Sequence, residues 1–162
     1  MALHGAYQMQ LSTRYALRLP DEWRTAFIDR TAIICFSENH WKIYPAKEWA
    51  KWVTIMTGMY KTSVTPLPAE VRRCMASALP VLIRKTGEVV IPKRLRLLSP
   101  GQVEIMIMGL ASFIEIWPVE AWRVQMEKDK DAAVGITKAE LMKIFGALSP
   151  VYIDLPRSPR DS

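Results

Sequence analysis

Apolar positions along this chain fall in short runs separated by turn residues, a spacing that suits strands better than long helices. The segments "MQLSTRYALRLP" (9–20) and "PVLIRKTGEVVIP" (80–92) each read as strand, turn and strand. Each closes on a proline, after which "DEWRTAF" or "KRLRLL" can form one helical turn. Two further strands follow in each case, "AIICF" with "WKIYP" and "VEIMIMG" with "FIEIWP". A proline then leads into the helices "AKEWAKWVTIMTGMY" and "VEAWRVQMEKDK", a place where its missing N–H costs nothing. Between these blocks, "PAEVRRCMASAL" (68–79) puts Val71, Met75 and Leu79 on one face and predicts an amphipathic linking helix. Thr137 and Glu140 stand in capping-box spacing and predict a short helix over 137–147, ahead of a mobile tail.

The pattern is written twice. At an offset of 72, Pro20 meets Pro92, Arg24 meets Arg96 and Ile33 meets Ile105. At 73, "WKIYPAKEW" (41–49) lies on "IEIWPVEAW" (114–122), and a one-residue insertion between the blocks accounts for the change. The expected organisation is a first unit over 1–60, a linker over 61–80, a second unit over 81–130 and an extension over 131–162. A unit of roughly 50 residues is too small for a core of its own, so the two should share one as an internal pseudo-dimer. About eight strands with peripheral helices give a mainly β, α+β class. Ile105 and Ile107 alternate with Met106 and Met108, which predicts a strand buried on both faces, one of them under a helix or a neighbouring subunit. Trp41, Tyr44, Trp49, Trp52, Trp117 and Trp122 recur beside prolines and helix starts, the pattern of a core or a subunit contact.

Charge adds a candidate chemistry. The net charge is +6, and residues 84–96 hold Arg84, Lys85, Lys93, Arg94 and Arg96 against Glu88 alone. Such a stretch suits nucleic acid or another polyanion, and equally a solvated face. The longest apolar run, "IMIMGLASFIEIW", is too short for a bilayer, and "MALHGAYQMQL" lacks the features of a signal peptide. These features predict a soluble protein of the cytoplasm, and two cysteines, Cys35 and Cys74, do not suggest a disulfide framework. His4, His40, Cys35 and Cys74 form no metal-ligand spacing, and neither a phosphate-cradling glycine loop nor a nucleophile elbow is present. No enzyme activity, cofactor, metal or small-molecule substrate is therefore expected.

Taken in order, "GAYQMQL", "LRLPDEWR", "WKIYPAKEW", "GEVVIPKRLR" and "FIEIWPVEAW" resemble the MraZ family over residues 3–128. The resemblance implies two SpoVT/AbrB-type repeats in a double-split, swapped-hairpin β-barrel, assembled as a homo-oligomeric ring. It also implies a nucleoid-associated transcriptional regulator binding double-stranded DNA at direct repeats upstream of a cell-division and cell-wall gene cluster. The family's repeats carry Asp, three residues, then Arg, with glycine before the Arg. Here Ser12 and Ala16 stand in the first copy, with Tyr15 in the glycine place, and Arg84 and Glu88 in the second, with Gly87 kept. A left-handed Tyr15 would cost about 1–2 kcal/mol, so the first hairpin is expected to use a different turn from the second. The DNA-contact candidates are Arg14, Arg18, Arg84, Lys85, Lys93 and Arg94, with Arg24 and Arg96 as further options for phosphate. Glu88 would repel phosphate. The broken signatures also support an alternative, a ring-forming interaction scaffold that has lost DNA recognition.

Overall fold

The computed structural model describes residues 3–61, 66–96 and 103–131. The helix expected over 137–147 and the tail after it lie outside the described residues. Strands β1 (Ala6–Leu11) and β2 (Ala16–Arg18) are followed by a 3-10 turn (Asp21–Ala26), β3 (Thr31–Ser37), β4 (His40–Pro45) and α1 (Ala46–Lys61). After α2 (Ala69–Ser77) the same order returns as β5 (Leu79–Leu82), β6 (Glu88–Val90), a 3-10 turn (Lys93–Leu95), β7 (Val103–Gly109), β8 (Ile114–Pro118) and α3 (Val119–Asp131). Pro20 and Pro92 adopt matching φ/ψ of −53°/145° and −57°/145°, ending the strand and opening the 3-10 turn in each copy.

The strands pair across the two copies. A six-stranded antiparallel sheet has the order β1-β7-β8-β4-β3-β5, so β1 lies on β7 and β5 on β3. β2 pairs with β6 in a separate two-stranded ribbon. The closed barrel expected from the resemblance is not what this ladder forms. The three-residue strands β2 and β6 hydrogen-bond to each other instead of to an edge, which leaves β1 and β5 as the edges of an open sheet. One core unites both copies: Leu17 and Leu19 meet Val89 and Ile91, and Ile34 and Ile43 meet Ile105, Ile107 and Ile116. Trp41 is fully buried there, and its indole N–H donates to the Leu95 carbonyl at 2.8 Å.

The outer face of the sheet is covered by helices, twice in the same way. Tyr44 of β4 meets Trp49 of α1 edge-on at 5.3 Å, and Trp117 of β8 meets Trp122 of α3 at 6.0 Å. Ile105 and Ile107 face the shared core, while Met106 and Met108 pack with Trp117 and Trp122 near α3. The strand apolar on both faces is therefore covered on its outer side by a helix of its own chain.

Three details differ from the sequence reading. The pairing of Ile33 with Ile105 does not survive the register. Ala32 lies opposite Pro45 and Ile105 opposite Pro118, while Ile34 lies opposite Ile43 and Ile107 opposite Ile116. The structural offset is thus already 73 on the third strand, and the extra residue falls between Arg96 and β7. An offset one residue short would exchange the two faces of the strand, which is why half-buried Ile33 is no counterpart of fully buried Ile105. Leu79, assigned to the linking helix, belongs to β5; α2 stops at Ser77 because Pro80 pushes Leu79 toward extended backbone. The residue that α2 buries is Cys74, where the sequence pattern pointed to Val71 and Met75.

The third correction concerns the turns, which are the same in both hairpins. Ser12 N–H donates to the Ala16 carbonyl at 3.0 Å and Tyr15 N–H to Ser12 at 2.9 Å. Arg84 N–H likewise donates to Glu88 at 3.0 Å and Gly87 N–H to Arg84 at 2.8 Å. Tyr15 takes the left-handed conformation, φ 57°, beside φ 86° at Gly87. Burial of its ring in the shared core offsets the local cost, and the Arg96 guanidinium sits 4.8 Å from the ring centroid. At the equivalent place, the Arg24 guanidinium fills the space beside Gly87, where an added Cβ would come within 2.5 Å of Arg24 Nε.

Gly87→Ala should lower the unfolding free energy by about 1–3 kcal/mol, from the strained φ together with displacement of Arg24. Denaturant titration measures this, and Arg24→Ala should cost less in the Gly87→Ala background than in the native chain.

A second expectation concerns His40, which is stacked on Trp117 at 3.9 Å with the rings 6° from parallel. Burial holds its pKa down, to about 4, so the ring is neutral in the fold. Nδ1 lies 3.3 Å from the Asn39 carboxamide oxygen, and Nε2 lies 3.9 Å from the Glu115 carboxylate. The unfolded chain's imidazole takes up a proton near its ordinary 6.5 while the folded one does not. Its contribution to stability should therefore fall as pH drops from about 6.5 toward 4, by about 3 kcal/mol. A His40→Phe variant should lose less stability over that window in pH-dependent thermal melts.

Candidate functional site

The ribbon β2/β6 fixes where the candidate cations can go. Ala16 pairs with Val90, Leu17 with Val89 and Arg18 with Glu88. Because the two strands run antiparallel, the turn before β2 and the turn before β6 lie at opposite ends. Each turn is closed against the other copy: Ile91 N–H donates to the Tyr15 carbonyl, and Leu19 N–H to the Gly87 carbonyl, both at 2.9 Å. Four residues separate Tyr15 from Leu19 along the strand, so the two ends are roughly 14 Å apart. The six candidates accordingly divide. Arg14 shares one end with Lys93 and Arg94, and Arg18 shares the other with Arg84 and Lys85.

These ends differ in electrostatics. At the Arg18 end, Arg84 Nη1 is 3.2 Å from the Glu88 carboxylate, and Arg18 Nη2 is 3.9 Å from Asp21. Arg24 also pairs with Asp21, and Glu22 accepts a short hydrogen bond from the Tyr7 hydroxyl. That bond holds the Glu22 carboxyl below the usual range; burial, then the bond to Glu22, pushes the Tyr7 phenol up to about 12. Glu22 therefore stays ionised over the whole neutral range. Glu88, expected to repel an anion, is largely covered and already ion-paired to Arg84.

At the Arg14 end the corresponding acids are missing. The 3-10 turn that carries Asp21 and Glu22 in the first copy carries Lys93 and Arg94 in the second, at the offset of 72. Arg14, Lys93 and Arg94 are exposed, and none has an ion pair among the described residues. Arg94 also lines an open groove of about 600 Å³ with Arg73 of α2 and Glu38. Arg73 escaped the sequence reading because only docking of α2 on β3 brings it to this end. The sign change between the 3-10 turns, by contrast, was visible once the copies were aligned. Arg24 and Arg96, also considered for phosphate, point inward. Arg24 Nη1 donates to the Lys85 carbonyl at 3.3 Å, and Arg96 Nε to the Ile91 carbonyl at 2.8 Å, so both hold turns in place.

Among the described residues no group of three His, Cys, Asp or Glu stands close enough to hold a metal ion, and no helix is long and apolar enough to cross a membrane. What the ribbon presents at the Arg14 end is three exposed cations, Arg14, Lys93 and Arg94.

No protein-family model matches the chain. Curated relatives do. A protein of Treponema pallidum named "Transcriptional regulator MraZ" is 27% identical over 136 residues, covering 83% of this chain and 91% of its own. Proteins of the same name from Herpetosiphon aurantiacus and Caldicellulosiruptor saccharolyticus are 25% and 28% identical over 143 and 147 residues, with 88% and 89% of this chain covered. They are matched over 97% and 99% of their own lengths. Similarity to regulators of this name over nearly their whole length, carried by a twice-repeated order of elements, supports the MraZ family for this chain.

Proposed function

We propose that this chain is a DNA-binding transcriptional regulator that engages phosphates through the Arg14–Lys93–Arg94 end of its ribbon. The observation that carries the reading is that asymmetry: three exposed cations with no ion pair among the described residues at one end, and two of the three cations, Arg18 and Arg84, ion-paired at the other. Backbone phosphates would supply most of the affinity, and arginine forks such as Arg14 and Arg94 could read guanine edges. Arg18 and Arg84 contribute less, because contact with DNA would first have to compete with Asp21 and Glu88, which leaves Lys85 as the exposed cation of that end with no ion pair among the described residues. The crossed pairing of β1 with β7 and β5 with β3 fits a swapped-hairpin relation between two SpoVT/AbrB-like repeats over 1–60 and 81–130. A homo-oligomeric ring of such chains would present several basic ends to direct repeats upstream of a cell-division and cell-wall cluster, multiplying weak contacts by avidity. That work would place the protein with the nucleoid in the cytoplasm.

A second reading, a ring-forming scaffold without DNA recognition, draws on the same ion pairs, which engage two of the six candidates, Arg18 and Arg84. A mobility-shift titration beside the native mass separates the two: a large assembly that leaves upstream DNA unshifted at low salt is the scaffold.

For the regulator, changing Arg14, Lys93 and Arg94 together to alanine should flatten the plot of log affinity against log salt by about three units of slope. The triple change at Arg18, Arg84 and Lys85 should flatten it by about one or less. Equal effects from the two triples, measured by fluorescence anisotropy across a salt series, would remove the basis for assigning one end.

A further inference from the structure

Cys35 and Cys74 are 39 residues apart in sequence and sit together beneath α2. Cys35 is on the outer face of β3, and Cys74 is the one residue that α2 buries. The Ser77 hydroxyl clamps the helix to the strand beside them, donating to the Phe36 carbonyl at 3.0 Å and accepting from Phe36 N–H at 2.9 Å. That clamp is one residue from Cys35 and one helical turn from Cys74, and the two cysteines pack in one buried cluster with Tyr44.

Around the pair lies a cation. Lys42 is the cross-strand partner of Cys35, and its ammonium is 2.8 Å from Glu70, one turn before Cys74 on α2. Both cysteines are buried, but Cys74 lines a groove of about 370 Å³ whose walls include Lys42, Tyr44, Trp52 and Phe113, whereas Cys35 lines none of the described cavities. The two sulfurs are thus inequivalent: Cys74 faces the route from solvent, and Cys35 stands behind it. The hydrogen bond from Cys35, then the Lys42 charge, draw the Cys74 thiol down to about 7, while the same bond and burial push Cys35 up.

We propose that Cys74 and Cys35 form a peroxide-responsive dithiol, in which oxidation makes an intramolecular disulfide that pins α2 to β3. The Cys74 thiolate attacks one oxygen of hydrogen peroxide, the O–O bond breaks, and the departing hydroxide takes up a proton to leave as water. Cys74 becomes a sulfenic acid. The Cys35 sulfur then attacks Cys74, its proton joins the sulfenic hydroxyl, a second water leaves, and the S–S bond forms. Two electrons pass from the thiol pair to one peroxide, which ends as two waters. The link would close the chain from β3 through α1 to α2 and fix the helix that carries Arg73.

Hydrogen peroxide applied to the full chain, followed by intact mass and peptide mapping, tests this. The expected product has lost two hydrogen atoms, yields a Cys35–Cys74 cross-linked peptide, returns to the starting mass with dithiothreitol, and unfolds at a higher denaturant concentration. Cys35→Ser should stop at a sulfenic acid on Cys74 that dimedone traps, whereas Cys74→Ser should leave Cys35 unlabelled. Disulfides formed only between chains, or wild-type thiols that oxidise without cross-linking to each other, would overturn the proposal whether or not the variants fold. Equal dimedone labelling of Cys35 in the Cys74→Ser protein would overturn the assigned order of attack.

Discussion

The pairing of β1 with β7 and of β5 with β3 governs everything else in this molecule. Each copy of the repeat gives its first strand to the third strand of the other, so neither copy has a complete sheet alone. The ribbon β2/β6 repeats the exchange at smaller scale. Separated, the first half would expose Leu17 and the second would expose Val89, Ile91 and the inner face of β7, surfaces that the complete chain buries together. Cooperativity follows from this topology, because removing either half strips the partner of hydrogen bonds and apolar contacts at once. The contacts also join residues about 100 positions apart, as Gln8 and Met106 show, and the entropy of closing such loops must be met before the sheet gives any return.

The exchange also explains why the two hairpin turns can look so different in sequence yet share one backbone. Each turn is held from outside by the strand end and the arginine of the other copy: Ile91 and Arg96 on Tyr15, Leu19 and Arg24 on Gly87. With the geometry set by the partner, the residue at positive φ is free to vary in how it fills the space. At Gly87 the guanidinium occupies the volume a side chain would take; at Tyr15 the ring occupies it and the guanidinium moves to the ring face. Strain at Tyr15 is tolerated because the surrounding core over-determines it.

Much of the fold was legible from apolar spacing and punctuation. The prolines at 20, 45, 92 and 118 and the paired aromatics Tyr44 with Trp49 and Trp117 with Trp122 mark equivalent points, and the elements fall where those marks place them. What the pattern could not carry was register and closure. Ile33 and Ile105 match in letters but not in ladder, because the inserted residue precedes β7 and a single slip exchanges faces. Leu79 suited the helical stripe as well as the strand, and only the proline after it decides between them. The candidate cations were identifiable as residues but not as groups. Whether Arg14 stands with Lys93 or with Lys85 depends on the antiparallel sense of a ribbon three residues long, which charge counting does not encode.

Duplication normally gives two equivalent surfaces, and here the two have separated in sign while the backbone stayed the same. Asp21 and Glu22 sit where the second copy has Lys93 and Arg94, and each acid is in use: Asp21 pairs with Arg24 and Arg18, and Glu22 with Tyr7. The first 3-10 turn thus spends its charge on internal contacts that hold the Gly87 turn, whereas the second leaves Lys93 and Arg94 in solvent and holds the Tyr15 turn with Arg96 alone. Structural and surface roles have been divided between the copies. A two-fold fold thereby acquires one strongly positive end, and a ligand with charge of the opposite sign would meet the molecule in one orientation rather than two.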